Sequence, residues 1–194
     1  MNFDFRWDYN YKLNEAGLGT DYLISIGVGV DNMNSVQRVI VFDQAGLGLL
    51  REYLVLRVVN KEVKNYFRYM VDTAVMLGAD QKTAEAELEK SVQFEVDLAL
   101  ITMSMEQRRN VTRRYNPTTA GAVKTFPGLP PSWTTYLQTL LGLVKEIVID
   151  DNEKIIVNSF EYIEDLAKLI NKTEPRVIAN YLGWRAAKAG NLFE

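Results

Sequence analysis

Four features of this sequence could do chemistry. Arg108, Arg109, Arg113 and Arg114 set four guanidinium groups within seven residues beside Tyr115, a density that suits binding of anions or nucleic acid. GVGVDN at 27–32 and GLGL at 46–49 place paired glycines next to apolar runs, as phosphate-binding loops do. Asp150 and Asp151 are adjacent carboxylates, the residue type of acid/base pairs and calcium loops. Asn110-Val111-Thr112 and Asn171-Lys172-Thr173 match the acceptor sequence for N-linked glycans.

Each feature also has a plainer role, and the spacing favours it. A dinucleotide fingerprint needs a third glycine opening a helix, and a P-loop needs Gly-Lys followed by Ser or Thr; neither is present. Glycines in or just after a hairpin more often mark bends or close backbone approach. The arginine cluster belongs to a chain of net charge −3 and pI near 5.2, which does not attract nucleic acid over long range. Its ordinary reading is stems that cover apolar surface and heads that pair with acids. Adjacent residues of a strand or turn point apart, so Asp150 and Asp151 read as a solvated turn. About one glycan acceptor sequence is expected by chance at this composition, so the pair does not establish secretion.

Two absences restrict the chemistry further. The chain has no histidine, so no imidazole serves as base, nucleophile or zinc ligand, and it has no cysteine, so thiolate sites and disulfides are excluded. A zinc held here would need carboxylates alone. The longest apolar segment, Tyr22–Val30, is about half the roughly 20 residues that span a bilayer, and no signal peptide is visible at the start of the chain.

The elements that would position these residues follow from hydrophobic period. Phe3–Leu13 has helical spacing and is ended by Gly17 and Gly19. YLISIGVGV and VQRVIVF, on either side of DNMNS, predict an antiparallel hairpin over 22–42. From Asn60 the period lengthens. Val63, Phe67, Met70, Val71, Ala74 and Leu77 mark a helix ended by Gly78, and Asp80 caps a second helix with a stripe of Leu88, Val92, Val96 and Ala99 or Leu100. Together they form a helical hairpin over 60–102. After the linker-like FPGLPP, Trp133, Leu137, Leu140 and Leu141 give a helix over 131–143. EIVID and KIIVN suggest a second hairpin around Asp150 and Asp151, and Asn158 with Glu161 forms a capping box. Helices over 159–188 close the chain, the last opened by Thr173 and Pro175. The expectation is a mainly α fold: residues 1–194 as a single helical domain with one or two small antiparallel β-hairpins.

The order of four separated stretches carries a resemblance. VGVDNMNSVQRVIVFDQAGLGLLREYL, YMVDTAVMLGA, ELEKSVQFEVDLALITMSMEQRRNVTRRYN and NSFEYIEDLAKLINKTEPRVIANYLGWR together resemble the amino-terminal, non-catalytic region of the neprilysin and endothelin-converting enzyme family of zinc metallopeptidases. The similarity runs from Tyr22 to Arg185. Asp43, Gln44, Arg51 and Tyr53 match the family, whereas Ala45 stands where it usually has proline, and the chain is one residue shorter before Arg51.

The resemblance implies that DQAGLGL closes the hairpin and leads into helices, with Gly46 and Gly48 structural. It implies a helical cap over the substrate cavity of a peptide-hydrolysing metalloendopeptidase, partnered by a catalytic zinc domain. The family holds that zinc with the two histidines of an HExxH motif and a downstream glutamate, so this chain is expected to carry no catalytic, cofactor or metal residue, to hold no zinc by itself, and to be a fragment or truncated relative. An extracellular or membrane-anchored ectodomain setting is implied by the family alone. The other reading is a free-standing helical module that binds a protein or peptide. A cap cut from its parent is expected to expose an apolar face, and the last helix, with Val177, Tyr181 and Trp184 on one side, is the expected place.

Overall fold

The computed structural model describes residues 7–141 and 147–190. Its elements run α1 (Asp8–Glu15), β1 (Ile24–Asp31), β2 (Asn34–Gln44), α2 (Arg51–Leu54), α3 (Lys61–Met76), α4 (Gln81–Ile101), α5 (Met105–Arg108), α6 (Val111–Arg114), β3 (Asn116–Thr119), α7 (Trp133–Leu141), β4 (Lys154–Val157), α8 (Phe160–Lys172) and α9 (Pro175–Ala189). The fold is mainly α with one small mixed sheet. The described chain divides into two compact units, one from Leu47–Thr102 with residues 169–190, the other from residues 7–46 with Met103–Lys168.

In the first unit, α3 and α4 form the expected helical hairpin. Asn60 and Asp80 cap the two helices by accepting from Glu62 N at 2.8 Å and Thr83 N at 2.9 Å. Gly78 takes a φ of +96° at the end of α3, so that its own N–H reaches Val75 O at 2.9 Å and the next reaches Ala74 O at 3.0 Å. Those paired bonds are the Schellman termination, which favours glycine because only it enters that region without strain.

Helix α9 lies on α4, with Ser91 Oγ donating to Val177 O at 3.3 Å. Its apolar arc is not left open. Val177, Ile178, Tyr181, Leu182 and Trp184 are all buried, Trp184 in one cluster with Val63, Tyr66, Met70, Val71, Leu88 and Val92. The expectation of an exposed apolar face on this helix is therefore overturned, because α3 and α4 supply a surface broad enough to cover it. Thr173 does not open α9 either. Its Oγ1 donates to Leu169 O at 2.7 Å within the end of α8, and Glu174 stands at the N-cap before Pro175.

In the second unit the sheet order is β1-β2-β4-β3. The expected hairpin forms, antiparallel from Ile24 opposite Gln44 to Val30 opposite Arg38. The second apolar run does not make a hairpin of its own. Ile147–Ile149 form no strand, Glu146 lies outside the described residues, and β4 instead pairs parallel with β2 and antiparallel with β3. Ile155, Ile156 and Val157 are buried on both faces, which explains a continuous apolar run in place of alternation. β3, Asn-Pro-Thr-Thr, carries no apolar signal, and its proline is tolerated because the strand is an edge.

Aromatic packing holds α7 to this sheet. Trp133 meets Phe42 at 5.2 Å between ring centroids, and Tyr136 meets Trp7 at 5.6 Å. Helix α1 begins at Asp8, later than expected; Phe3–Arg6 lie outside the described residues, as do the last positions of the helix expected over 131–143. Ser159, not Asn158, caps α8, accepting from Tyr162 N at 3.1 Å, while the buried Asn158 donates its N–H to Phe42 O at 2.8 Å.

Candidate functional site

The GLGL stretch is where sequence chemistry and structure can be compared most directly. Gly46 donates to Asp21 O at 2.8 Å, and a Cβ there would stand 2.5 Å from an Asp21 carboxylate oxygen. Gly48 donates to Glu95 Oε1 at 2.6 Å, and a Cβ there would stand 2.1 Å from the Tyr66 hydroxyl. Neither glycine has a positive φ; each is required by close approach of other groups to its Cα. The amide of Gly48 is occupied by a carboxylate of the protein itself. A phosphate cradle would offer that amide to a ligand.

Glu95 is fully buried at the centre of a polar network. Besides the Gly48 amide it accepts from the Tyr66 hydroxyl at 2.8 Å and lies 3.7 Å from the Arg185 guanidinium. Trp184 Nε1 donates to the Tyr66 hydroxyl at 2.6 Å, Arg185 donates to the Tyr181 hydroxyl at 2.9 Å, and Lys188 Nζ donates to Gly48 O. Burial pushes the Glu95 carboxyl above its ordinary value, against the opposing Arg185 charge and the Gly48 and Tyr66 hydrogen bonds. Burial pushes the Tyr66 hydroxyl up as well, and burial with the neighbouring Arg185 charge pushes Lys188 down. The network satisfies its own donors and acceptors and ties the Gly48 loop to α3, α4 and α9. Sequence reading missed it. The only signal was a single acid set between Phe94 and Val96 in an apolar stretch.

The arginine cluster disperses onto acids of its own unit. Arg108 makes two bonds to Asp43, at 2.8 and 2.7 Å, and Arg114 reaches the same carboxylate at 4.0 Å while donating to Arg108 O at 3.2 Å. Arg113 pairs with Glu161 at 3.0 Å, and Arg109 is exposed. Burial raises the Asp43 carboxyl, but Arg108 and the Gln44 N–H outweigh it and hold the group below its ordinary value. The sign for stability follows. The Asp43 contribution is present above the unfolded value near 3.8 and is lost as pH falls through the lower folded value. Arg108→Ala is expected to cost about 2 kcal/mol near neutral pH and to flatten the acid limb of a urea-stability profile; an unchanged acid limb would overturn the assignment.

A second acid on this sheet is likewise committed. Asp31, at 1% exposure, accepts from Lys154 Nζ at 2.7 Å, Met33 N at 2.9 Å and the Tyr115 hydroxyl at 2.9 Å, and Lys154 foremost holds its carboxyl at about 2. Tyr115 therefore serves the sheet end.

Asp150 and Asp151 do form a turn. Asp150 Oδ1 accepts from Asn152 N at 2.8 Å, and Asp151 accepts from Thr134 Oγ1 at 2.5 Å and, through its carbonyl, from Gly121 N at 3.0 Å. Among the described residues no group of three or more Asp or Glu side chains is placed to hold a metal ion. The residues present do not fit a zinc site. No described helix is long and apolar enough to cross a membrane.

Comparison with known proteins assigns the chain. The model of "Peptidase family M13" matches residues 3–192. Neprilysin-2 of Drosophila melanogaster is 40% identical over 188 residues, covering 95% of this chain and 24% of that protein. Endothelin-converting enzyme 1 of Homo sapiens is 33% identical over 178 residues, covering 90% of this chain and 22% of that protein. The chain thus spans about a quarter of the length of these relatives. Among solved structures, a zinc metalloprotease of Mycobacterium tuberculosis in complex with an inhibitor superposes with a TM-score of 0.77 at 20% identity, over 94% of this chain and 27% of that one; at this identity the likeness concerns the fold. With a family match running almost end to end and relatives 33–40% identical, the chain belongs to peptidase family M13, the family of the neprilysins and endothelin-converting enzymes, and corresponds to its amino-terminal region.

Proposed function

We propose that this chain is the helical cap of an M13 zinc metalloendopeptidase and is not catalytic by itself. The observation that carries the reading is the conjunction of a family match over residues 3–192 with a sequence that has no histidine and no cysteine. Zinc in such a peptidase polarises the scissile carbonyl and lowers the pKa of its bound water; that chemistry belongs to a catalytic zinc domain outside these residues. The role of this chain is to wall the cavity and restrict it to peptides of limited size. An extracellular or ectodomain setting is part of the same proposal.

A feature of the first unit supports it. Leu50, Tyr53, Leu56, Val58 and Val59 are exposed within ten residues, Val59 by 78%, around Arg57, which holds a left-handed φ of +64°. Exposed apolar groups this dense are uncommon on a surface that faces only water.

Reconstitution tests the proposal. The purified chain is expected to retain no stoichiometric zinc after dialysis and to show no peptidase activity. A zinc domain from the same enzyme is expected to bind it and, once bound, to cleave short peptides while sparing large folded proteins. Chelator-sensitive hydrolysis by the chain alone, or unchanged substrate size limits on adding it, would overturn the cap reading. Binding of an unrelated peptide with no response to the zinc domain would favour the free-standing module.

A further inference from the structure

The two edges of the sheet, β1 and β3, are built differently. An edge strand presents unpaired backbone N–H and C=O groups, and proteins blunt such edges with short strands, proline or charge. β3 has two of these devices, since it is four residues long and carries Pro117. β1 runs eight residues, with neither proline nor charge over Ile24–Val30. Its one charged side chain, Asp31 at the far end, is buried and paired with Lys154 at 2.7 Å, and its register against β2 shifts only between Val30 and Asp31.

Alternation puts Ile24, Ile26, Val28 and Val30 on one face of β1 and Ser25, Gly27 and Gly29 on the other. Ile26 lies opposite the buried Phe42 and Val28 opposite the buried Ile40, so the branched face continues from β2 to the edge, where Val28 is 61% and Val30 43% exposed. A strand that fits beyond β1 is uncharged and carries branched side chains at alternate positions. β1 itself meets both requirements.

We propose that β1 is an interface for a second copy of this chain, pairing antiparallel with its counterpart about a two-fold axis at Gly27 and joining two four-stranded sheets into one of eight strands. In that register Ile26 of one copy lies opposite Val28 of the other, and Ile24 opposite Val30, so each exposed valine gains an isoleucine beside it. A slip of one residue would set the branched face of one copy against the glycine face of the other. Like charge does not oppose the pairing. The exposed Arg38, opposite Val30 in β2, falls at opposite ends of the shared strand pair in the two copies, about 20 Å apart along the strands. One strand pair is a small contact, so the dimer is weak and depends on concentration. The inference uses the sheet edge alone and does not rest on the cap reading.

Sedimentation equilibrium of the full chain at rising concentration is expected to show the average mass climbing from 22.1 kDa toward twice that value. Val28→Lys sets a charge on the edge and is expected to hold the mass at that of one chain. Val36→Lys, at a side chain 91% exposed and outside the contact, is expected to leave association unchanged. Cross-linking reports the register. The chain has no cysteine of its own, a Cβ at Gly27 meets nothing within 4 Å, and two copies of this position facing across the axis bring their Cα atoms to about 5 Å, within disulfide reach. Gly27→Cys is therefore expected to form a disulfide-linked dimer under mild oxidation roughly tenfold faster than Ser25→Cys, whose two copies stand about 13 Å apart. A single-chain mass at every concentration, equal loss of association in Val36→Lys, or equal cross-linking rates would overturn the proposal. Suppression of the Gly27→Cys cross-link by a zinc domain from the same enzyme would assign the edge to that domain and overturn the second-copy reading, leaving the cap reading intact.

Discussion

Gly48→Ala, the addition of a single methyl group, is expected to destabilise the protein by about 3 kcal/mol or more. The added methyl carbon would stand 2.1 Å from the Tyr66 hydroxyl, a distance real Cβ atoms essentially never show, and 3.0 Å from Glu95 Oε1, a tight contact. Tyr66 cannot yield cheaply, because its hydroxyl is bonded to both Glu95 and Trp184 and its ring packs against Trp184 at 5.7 Å. Relief would require moving the loop, which breaks the Gly48 N–H to Glu95 bond and leaves a buried carboxylate short of a donor. For a chain of this size a loss of that order corresponds to a fall in Tm of roughly 10 °C. Urea unfolding of wild type and variant provides the measurement, with Gly27→Ala as control, since a Cβ at Gly27 meets nothing within 4 Å. Equal midpoints for the two alanine variants would disprove the close-approach explanation.

Glu95→Ala is expected to cost about 3–5 kcal/mol, since removing one partner leaves the others buried and unsatisfied. The orphans would be the Gly48 amide, the Tyr66 hydroxyl and the Arg185 guanidinium. Glu95→Gln should cost distinctly less, because an amide still accepts from Gly48 and can donate to Tyr66. The two variants also separate in their dependence on pH. The folded-state pKa of Glu95 is raised above the ordinary value of 4.5 by burial, so the folded protein binds that proton more tightly than the unfolded chain. Its favourable contribution is complete below the ordinary value and is lost as pH rises through the folded value. Asp43 runs in the opposite direction and acts at lower pH. Stability of wild type should therefore decline above about pH 4.5 by an increment that Glu95→Gln removes. Parallel curves for wild type and Glu95→Gln across that range would show that Glu95 keeps an unshifted pKa.

Much of this protein was legible in its sequence. Helix ends are local events, set by one residue and the amides near it, and so Gly78 and Asp80 could be assigned their roles directly. The β1–β2 hairpin was readable for the same reason, its two strands alternating on either side of a short polar turn. The absence of histidine and cysteine excluded whole classes of chemistry without any coordinates. Family membership was readable from the order of several motifs, each weak by itself.

Tertiary structure decided what depends on distant partners. KIIV is apolar whether it forms half of a hairpin or the centre of a sheet, and only the arrival of β2 on one side and Pro117 with its neighbours on the other makes it central. Asn158 and Ser159 both have side chains that cap helices, and the choice fell to Ser159 because the Asn158 backbone continues the hydrogen bonding to Phe42. The apolar arc of α9 was plain, but whether α3 and α4 would cover it was a question of area contributed from elsewhere. Glu95 is the strongest case. One carboxylate on an amphipathic helix reads as solvated, since burying it alone costs several kcal/mol. Its burial becomes possible only when Gly48, Tyr66 and Arg185, brought from separate parts of the chain, converge to satisfy it, and no local pattern in the sequence encodes that convergence.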